Sequence, residues 1–84
     1  MTLAYILISV YNGDPSKVAE ELIEIPEITM AHMLFGEWDL IIRVKASNEI
    51  ELRETILNKI SKIRGISDTN TLIVADSTRE KDKS

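Results

Sequence analysis

The run LAYILISVY, Leu3 to Tyr11, constrains this chain more than any other stretch. It is rich in β-branched and aromatic residues and stops at the turn signal Asn12-Gly13-Asp14-Pro15, so it reads as a strand. Strand side chains point alternately to opposite sides of a sheet. Ala4, Ile6, Ile8 and Val10 share one face; Tyr5, Leu7, Ser9 and Tyr11 share the other. Both faces are substantially apolar, and both therefore need a cover. Eighty-four residues make one small domain whose core is marginal alone. The chain's own elements can cover one face, and a partner subunit packed on the other would complete the burial.

Composition narrows the class. Hydrophobic residues make up 44% and charged residues 29%, a balance that fits a globular chain rather than a disordered one. The formal net charge of −4 argues against a nucleic-acid or anionic-membrane surface, because both need an excess of Lys and Arg to displace counterions. There is no cysteine, which removes disulfides, zinc-thiolate sites and thiol catalysis. The apolar N-terminal run is too short to cross a bilayer and lacks the basic start and small-residue cleavage site of a signal peptide. The expectation is a cytoplasmic protein with no membrane contact, no direct nucleic-acid contact, no cofactor and no metal.

Further elements follow from period and punctuation. Asp14 is placed to cap a helix, with Pro15 at its first position, and Val18, Ala19, Leu22 and Ile23 form its apolar stripe up to the stop at Pro26. Ile28 to Leu34 reads as a second strand and Trp38 to Lys45 as a third. Asn48 caps a second helix, and Glu51 three residues on completes a capping-box-like pair. Leu52, Ile56, Ile60 and Ile63 repeat at helical spacing with Leu57 beside them. Lys59, Lys62 and Arg64 suit the negative helix end, and Gly65 is the stop. Ile66 to Ala75 contains the last strand. The domain therefore runs over residues 1–75, and the polar tail 76–84 is expected to be disordered.

The order β-α-β-β-α-β belongs to the α+β class. Right-handed crossovers put both helices on one face of a four-stranded antiparallel sheet, a ferredoxin-like plait of the dimeric α+β barrel type. The other face carries Tyr5, Leu7 and Tyr11 with Asp39, Ile41 and Arg43, too apolar a mixture to stay wet.

The connection into the third strand, Gly36-Glu37-Trp38-Asp39, holds more than a turn needs. Glycine supplies positive φ. A large aromatic followed at once by a carboxylate has no such role, and aspartate is unfavourable in a strand.

Several segments in order carry a resemblance. They are Ile25-Pro26-Glu27-Ile28, Phe35-Gly36-Glu37-Trp38-Asp39-Leu40, Val44-Lys45-Ala46, and Ile63-Arg64-Gly65-Ile66 leading into Thr69-Asn70-Thr71. Over roughly residues 2–75 the chain resembles the effector-binding domain of the leucine-responsive regulatory protein (Lrp/AsnC) family, also called the RAM domain (regulation of amino-acid metabolism). Full-length regulators of that family carry an N-terminal helix-turn-helix domain. Here the effector domain begins at the first methionine, so the chain is similar to stand-alone members, and DNA binding is not carried over. The resemblance implies dimers packed through their sheet faces, rings of dimers, and free amino acids bound between neighbouring dimers. It implies ligand contacts from Gly36, Trp38 and Asp39 on the hairpin and from Thr69 and Thr71 on the opposite wall. An aspartate could accept from the ligand ammonium, while backbone N–H groups near Gly36 and the threonine hydroxyls could donate to its carboxylate. Full-length Lrp/AsnC regulators are partners the resemblance also suggests.

Each residue has a plainer reading. Gly36 serves the turn; Trp38 lies in phase with Leu40 and Ile42 and suits a core or interface; Asp39 could pair with Arg43; Thr69 and Thr71 are good strand formers. His32 reads as packed, and Met30 and Met33 as gap fillers. Three function classes stand side by side. One is a binding module for an amino acid. Another is a small dimeric α+β barrel enzyme, which needs an acid–base or metal constellation that one His and no Cys do not suggest. The last is an oligomerisation module alone.

Overall fold

Strand β1, Thr2–Val10, lies inside the sheet, as its two apolar faces require. The structure, a computed structural model, describes residues 1–11 and 13–75. After β1 come helix α1 (Pro15–Leu22), strands β2 (Ile28–Met33) and β3 (Leu40–Ala46), helix α2 (Glu49–Asn58), a 3-10 turn (Ile60–Lys62) and strand β4 (Ile66–Ile73). The sheet order is β2-β3-β1-β4, and all neighbours are antiparallel. β1 and β2 are therefore parallel with β3 between them, and β3 and β4 are parallel with β1 between them. This is the split double crossover of the ferredoxin-like plait. The expected tail lies outside the described residues. Among the described residues no helix is long and apolar enough to cross a membrane.

One sheet face holds the core. Ala4, Ile6 and Ile8 of β1 and Leu40, Ile42 and Val44 of β3 are essentially without solvent contact, and they pack with Val18 and Leu22 of α1, Leu52 of α2 and Ile60. Each large side chain buried this way contributes about 1.5–3 kcal/mol. On the opposite face Tyr5, Leu7, Ile41 and Arg43 are half-buried, and Tyr11 and Leu72 are exposed. Within one chain only one of β1's two apolar faces is covered.

The helices begin where their caps place them. Asp14 Oδ1 accepts from the Ser16 N–H at 3.0 Å, and Asn48 Oδ1 accepts from the Glu51 N–H at 2.8 Å. The Glu51 carboxylate reaches back to the Ser47 N–H, which completes the box one residue earlier than the simplest version of the motif. The helix ends depart from expectation. α1 stops at Leu22, and two tighter turns, Glu24 N–H to Glu21 O and Ile25 N–H to Leu22 O, carry the chain to Pro26. α2 stops at Asn58, so Ile60 and Lys62 belong to the 3-10 turn rather than to the helix. Ile23 and Leu57 are exposed rather than in their stripes. Each stands five residues after a buried anchor, Val18 or Leu52, which turns it about 140° away around the axis. Thr55 takes the inner position expected of an apolar residue and is 2% exposed. His32 and Met33 are also exposed, contrary to the packed reading.

Lys59 does not serve the end of its own helix through its side chain. Its ammonium meets both carboxylate oxygens of Glu27, at 2.9 and 3.1 Å, and so ties the turn before β2 to the end of α2. The Lys59 hydrogen bond, with the Glu27 backbone N–H, holds the Glu27 carboxyl below its ordinary value of 4.5. A carboxyl depressed by folding stabilises the fold above its unfolded value and loses that contribution as pH falls through the folded one. Stability measured by urea denaturation is expected to decline as pH drops below about 4.5, and Lys59→Met should flatten that part of the profile. The size is that of an exposed pair, about 0–1 kcal/mol.

Gly65 closes the second half of the fold. Its φ is +101°, and its carbonyl accepts from the Tyr11 N–H at 3.0 Å. A Cβ there would also approach Val18 Cγ2 to 3.3 Å. Gly65→Ala should destabilise the protein by about 1–3 kcal/mol, read from the midpoint of denaturant unfolding with an unchanged slope.

Candidate functional site

Asp39 is the most tightly fixed residue of the connection between β2 and β3. Its N–H donates to Ile8 O at 2.9 Å, its carbonyl accepts from the Leu34 N–H at 2.9 Å, and its Oδ2 accepts from the Val10 N–H at 2.7 Å. The pairing with Arg43 weighed from the sequence does not form; Arg43 Nε donates instead to Thr29 Oγ1 at 2.9 Å. The carboxylate therefore has a structural task that needs no ligand: it satisfies a backbone donor at the end of β1. One oxygen does this. Among the described residues no donor meets the other, Oδ1. Asp39 lines a pocket of about 230 Å3 together with Pro15, Met33, Leu34 and Phe35.

The rest of the hairpin is exposed around this anchor. Gly36 has φ +132° with nothing within 4 Å of a Cβ built on it, so its backbone groups are open to approach. Phe35 is fully exposed. Trp38 is half-buried and is not part of the core that Leu40 and Ile42 enter, so the in-phase core reading is not what the structure shows. The third strand begins at Leu40, two residues later than its alternation suggests.

Thr69 and Thr71 lie on β4, opposite Ile8 and Ile6. Leu40 also pairs with Ile8, so Leu40, Ile8 and Thr69 form one transverse row. Two strand spacings separate its ends, about 10 Å. One chain thus keeps the two walls apart, with β1 between them: the hairpin beside the end of β1, the threonines on the outer edge. Thr69 is exposed and lines a cleft of about 290 Å3 between the end of α2 and the start of β4. Asp68 lines the same cleft and was not among the residues expected at a site. The polar cluster Ser67-Asp68-Thr69, which follows Gly65-Ile66, was the signal available.

Residues 3–83 match the family model described as the Lrp/AsnC ligand binding domain. The chain belongs to the Lrp/AsnC ligand-binding domain family. An uncharacterized HTH-type transcriptional regulator of Pyrococcus abyssi is 37% identical over 84 residues, covering 95% of this chain and 55% of that protein. The chain thus spans about half the length of this curated relative. A hypothetical protein of Pyrococcus horikoshii, solved by crystallography, is 33% identical with a TM-score of 0.85, over 93% of this chain and 94% of that one. The feast or famine regulatory protein of M. tuberculosis, solved in complex with L-methionine, shares the Lrp/AsnC fold at 18% identity and a TM-score of 0.79, over 100% of this chain and 56% of that one.

The double engagement of Asp39 has a measurable consequence. Asp39→Ala leaves the Val10 N–H without its partner and should lower stability by about 1–2 kcal/mol. Asp39→Asn keeps an acceptor in place and should lose less than half as much. Denaturant midpoints of the two variants, measured side by side without ligand, check this.

Proposed function

We propose that this chain is an effector-binding and oligomerisation domain that takes up a free amino acid and modulates transcription regulators of the Lrp/AsnC family without contacting DNA itself. The observation that carries the reading is Asp39: a carboxylate fixed in place by the Val10 N–H, with its second oxygen unclaimed among the described residues and the open Gly36 turn beside it. Such a carboxylate suits an ammonium, and the neighbouring backbone N–H groups suit a carboxylate. Trp38, half-buried at the same rim, can wall the ligand. Thr69 and Thr71 supply polar contacts from the other wall. Because the walls stand apart in one chain, the cleft is built between copies. The uncovered sheet face, with Tyr5, Leu7, Tyr11, Ile41 and Leu72, is the surface through which copies would dimerise, and rings of dimers would then juxtapose hairpin and threonines. The match to a ligand-binding family over nearly the whole chain supports the same reading, and the L-methionine held by the M. tuberculosis protein puts that amino acid on the panel to be tried.

The test is a thermal-shift screen of the twenty amino acids, followed by calorimetric titration and light scattering at micromolar concentration. The expected result is a mass of at least a dimer and a saturable rise in Tm with one or a few amino acids. Asp39→Asn should weaken that binding about ten- to a hundredfold, the loss of one charge-assisted hydrogen bond. Arg43→Ala, which breaks only the contact to Thr29, should leave it unchanged. A monomeric mass would remove the inter-subunit cleft. A chain that assembles but responds to no amino acid is an oligomerisation module alone. Salt-sensitive, sequence-selective retardation of duplex DNA would overturn the absence of DNA contact.

A further inference from the structure

The sheet has two outer strands, β2 and β4, and only β4 is guarded. An outer strand presents unpaired backbone N–H and C=O groups, and a charge, a proline or a bulge keeps other chains from pairing with it. β4 has two of these. Asp68 pairs with Ser9 and Ile66 with Val10, so Ser67 is an extra residue bulged out of the ladder, and the Asp68 carboxylate follows it directly. β2 reads Ile-Thr-Met-Ala-His-Met, without a lysine, a carboxylate or a proline. Its irregularity lies at its start, between Ile28 and Met30, and pairing with β3 then runs unbroken from Met30 to Met33. Beyond Met33 the Leu34 N–H donates to Asp39 O, so Leu34 faces the connection into β3. Successive residues of a strand direct their backbone groups to opposite sides. His32 therefore faces β3 as well, while Ala31 and Met33 direct their N–H and C=O groups outward. Among the described residues no strand lies beyond them.

The surface beside this edge is apolar. A groove of about 590 Å3 lies between α1 and β2, lined by Ala19 and Ile23 from the helix side and by Ala31 and Met33 from the strand. Ile23 and Met33 are exposed. Glu20 also lines the groove, and the segment around it sets Glu20, Glu21 and Glu24 against Lys17 alone. The Glu20 carboxylate forms no ion pair among the described residues. A strand laid along β2 would satisfy the outward groups of Ala31 and Met33, cover Ile23 and Met33 with every second side chain, and meet Glu20 with a cation. A second copy of this chain is the poorer occupant. Pairing β2 with β2 about a two-fold axis brings a second Glu20 toward the first, and offering β4 brings its bulge and Asp68, again of the same sign.

We propose that the outer edge of β2, with the α1 groove beside it, takes an extended segment of another protein by strand addition. The segment turns alternate apolar side chains toward the groove and carries a lysine or arginine where it passes Glu20. Its affinity comes from main-chain hydrogen bonds to Ala31 and Met33, and its selectivity from Ile23, Met33 and Glu20. The site uses neither Asp39 nor the threonines of β4, and it leaves the sheet face of Tyr5 and Leu7 free. It therefore goes beyond the effector reading and stands or falls without it.

The probe is a capped, fluorescently labelled peptide, Lys-Val-Thr-Val-Thr-Val-Thr-Lys, with a counterpart in which both lysines are glutamates. Each is titrated by anisotropy into the full-length chain as it assembles in solution, with no amino acid added. The expected result is saturable binding of the lysine peptide, about tenfold weaker binding of the glutamate peptide, and slowed hydrogen exchange at the Ala31 and Met33 amides in the complex. Ala31→Pro removes an outward N–H and no bond of the β2–β3 ladder, a change that outer strands tolerate. It should weaken the lysine peptide about tenfold or more. Glu20→Lys should abolish or reverse the preference between the two peptides. No saturable binding of the lysine peptide overturns the proposal, and so does binding that leaves the Ala31 and Met33 amides unprotected. The exchange measurement uses the wild-type chain and decides even where Ala31→Pro does not fold. A folded Ala31→Pro chain with a smaller mass than the wild type by light scattering, without peptide, assigns the edge to a second copy and overturns the proposed occupant.

Discussion

The register between β1 and β3 is the constraint on which the rest of the molecule depends. Seven residue pairs run from Thr2–Ala46 to Ile8–Leu40. They bring Ala4, Ile6 and Ile8 to the same side as Leu40, Ile42 and Val44, and that common side is the core. A slip of one residue would turn every one of these side chains to the other face. It would also exchange the covered face for one bearing Tyr5, Arg43 and Lys45. Apolar content does not by itself prevent the slip, because both faces of β1 are apolar. What selects the register is the contrast in β3, whose inner positions are aliphatic and whose outer ones include Arg43 and Lys45.

Asp39 pins that register at its end. Its backbone N–H continues the ladder to Ile8 O, and its carboxylate closes on the Val10 N–H. A residue unfavourable in strands is thus placed where the strand begins and a neighbouring backbone donor needs an acceptor. The same fixation suits a binding role, because a carboxylate held on one side by the protein loses little freedom when its other oxygen meets a ligand. Structural and functional accounts of Asp39 are compatible, one for each oxygen.

Both walls of the proposed cleft converge on the end of β1. Val10 receives the hairpin through Asp39 and faces Ile66 across the bulge, and Tyr11 donates to Gly65 where the last strand is about to begin. The ladder slips at Ser67, and Ser67, Asp68 and Thr69 line the cleft beside the end of α2. A short segment of one strand therefore sets the positions of the hairpin carboxylate and of the β4 rim together, although the two are about 10 Å apart.

Local chemistry was legible in the chain. The caps at Asp14 and Asn48, the glycine turns at Gly36 and Gly65, the strand character of the Thr69–Thr71 segment and the order of elements follow from residues within a few positions of one another. The anomaly of a carboxylate at position 39 was legible too, as an anomaly. Its partner was not: Val10 is 29 residues away, and nothing in either neighbourhood names the other. The Glu27–Lys59 pair spans 32 residues and was equally hidden. Leu57 and Ile23 went astray because composition suggests a stripe, whereas angular position on the finished helix determines burial. The bulge that gathers Ser67, Asp68 and Thr69 arises from how β4 meets β1, and alternation within a single strand carries no sign of it. Periodicity and capping are properties of one segment and can be read from it. Hydrogen bonds between distant segments come into being only when the strands are laid side by side.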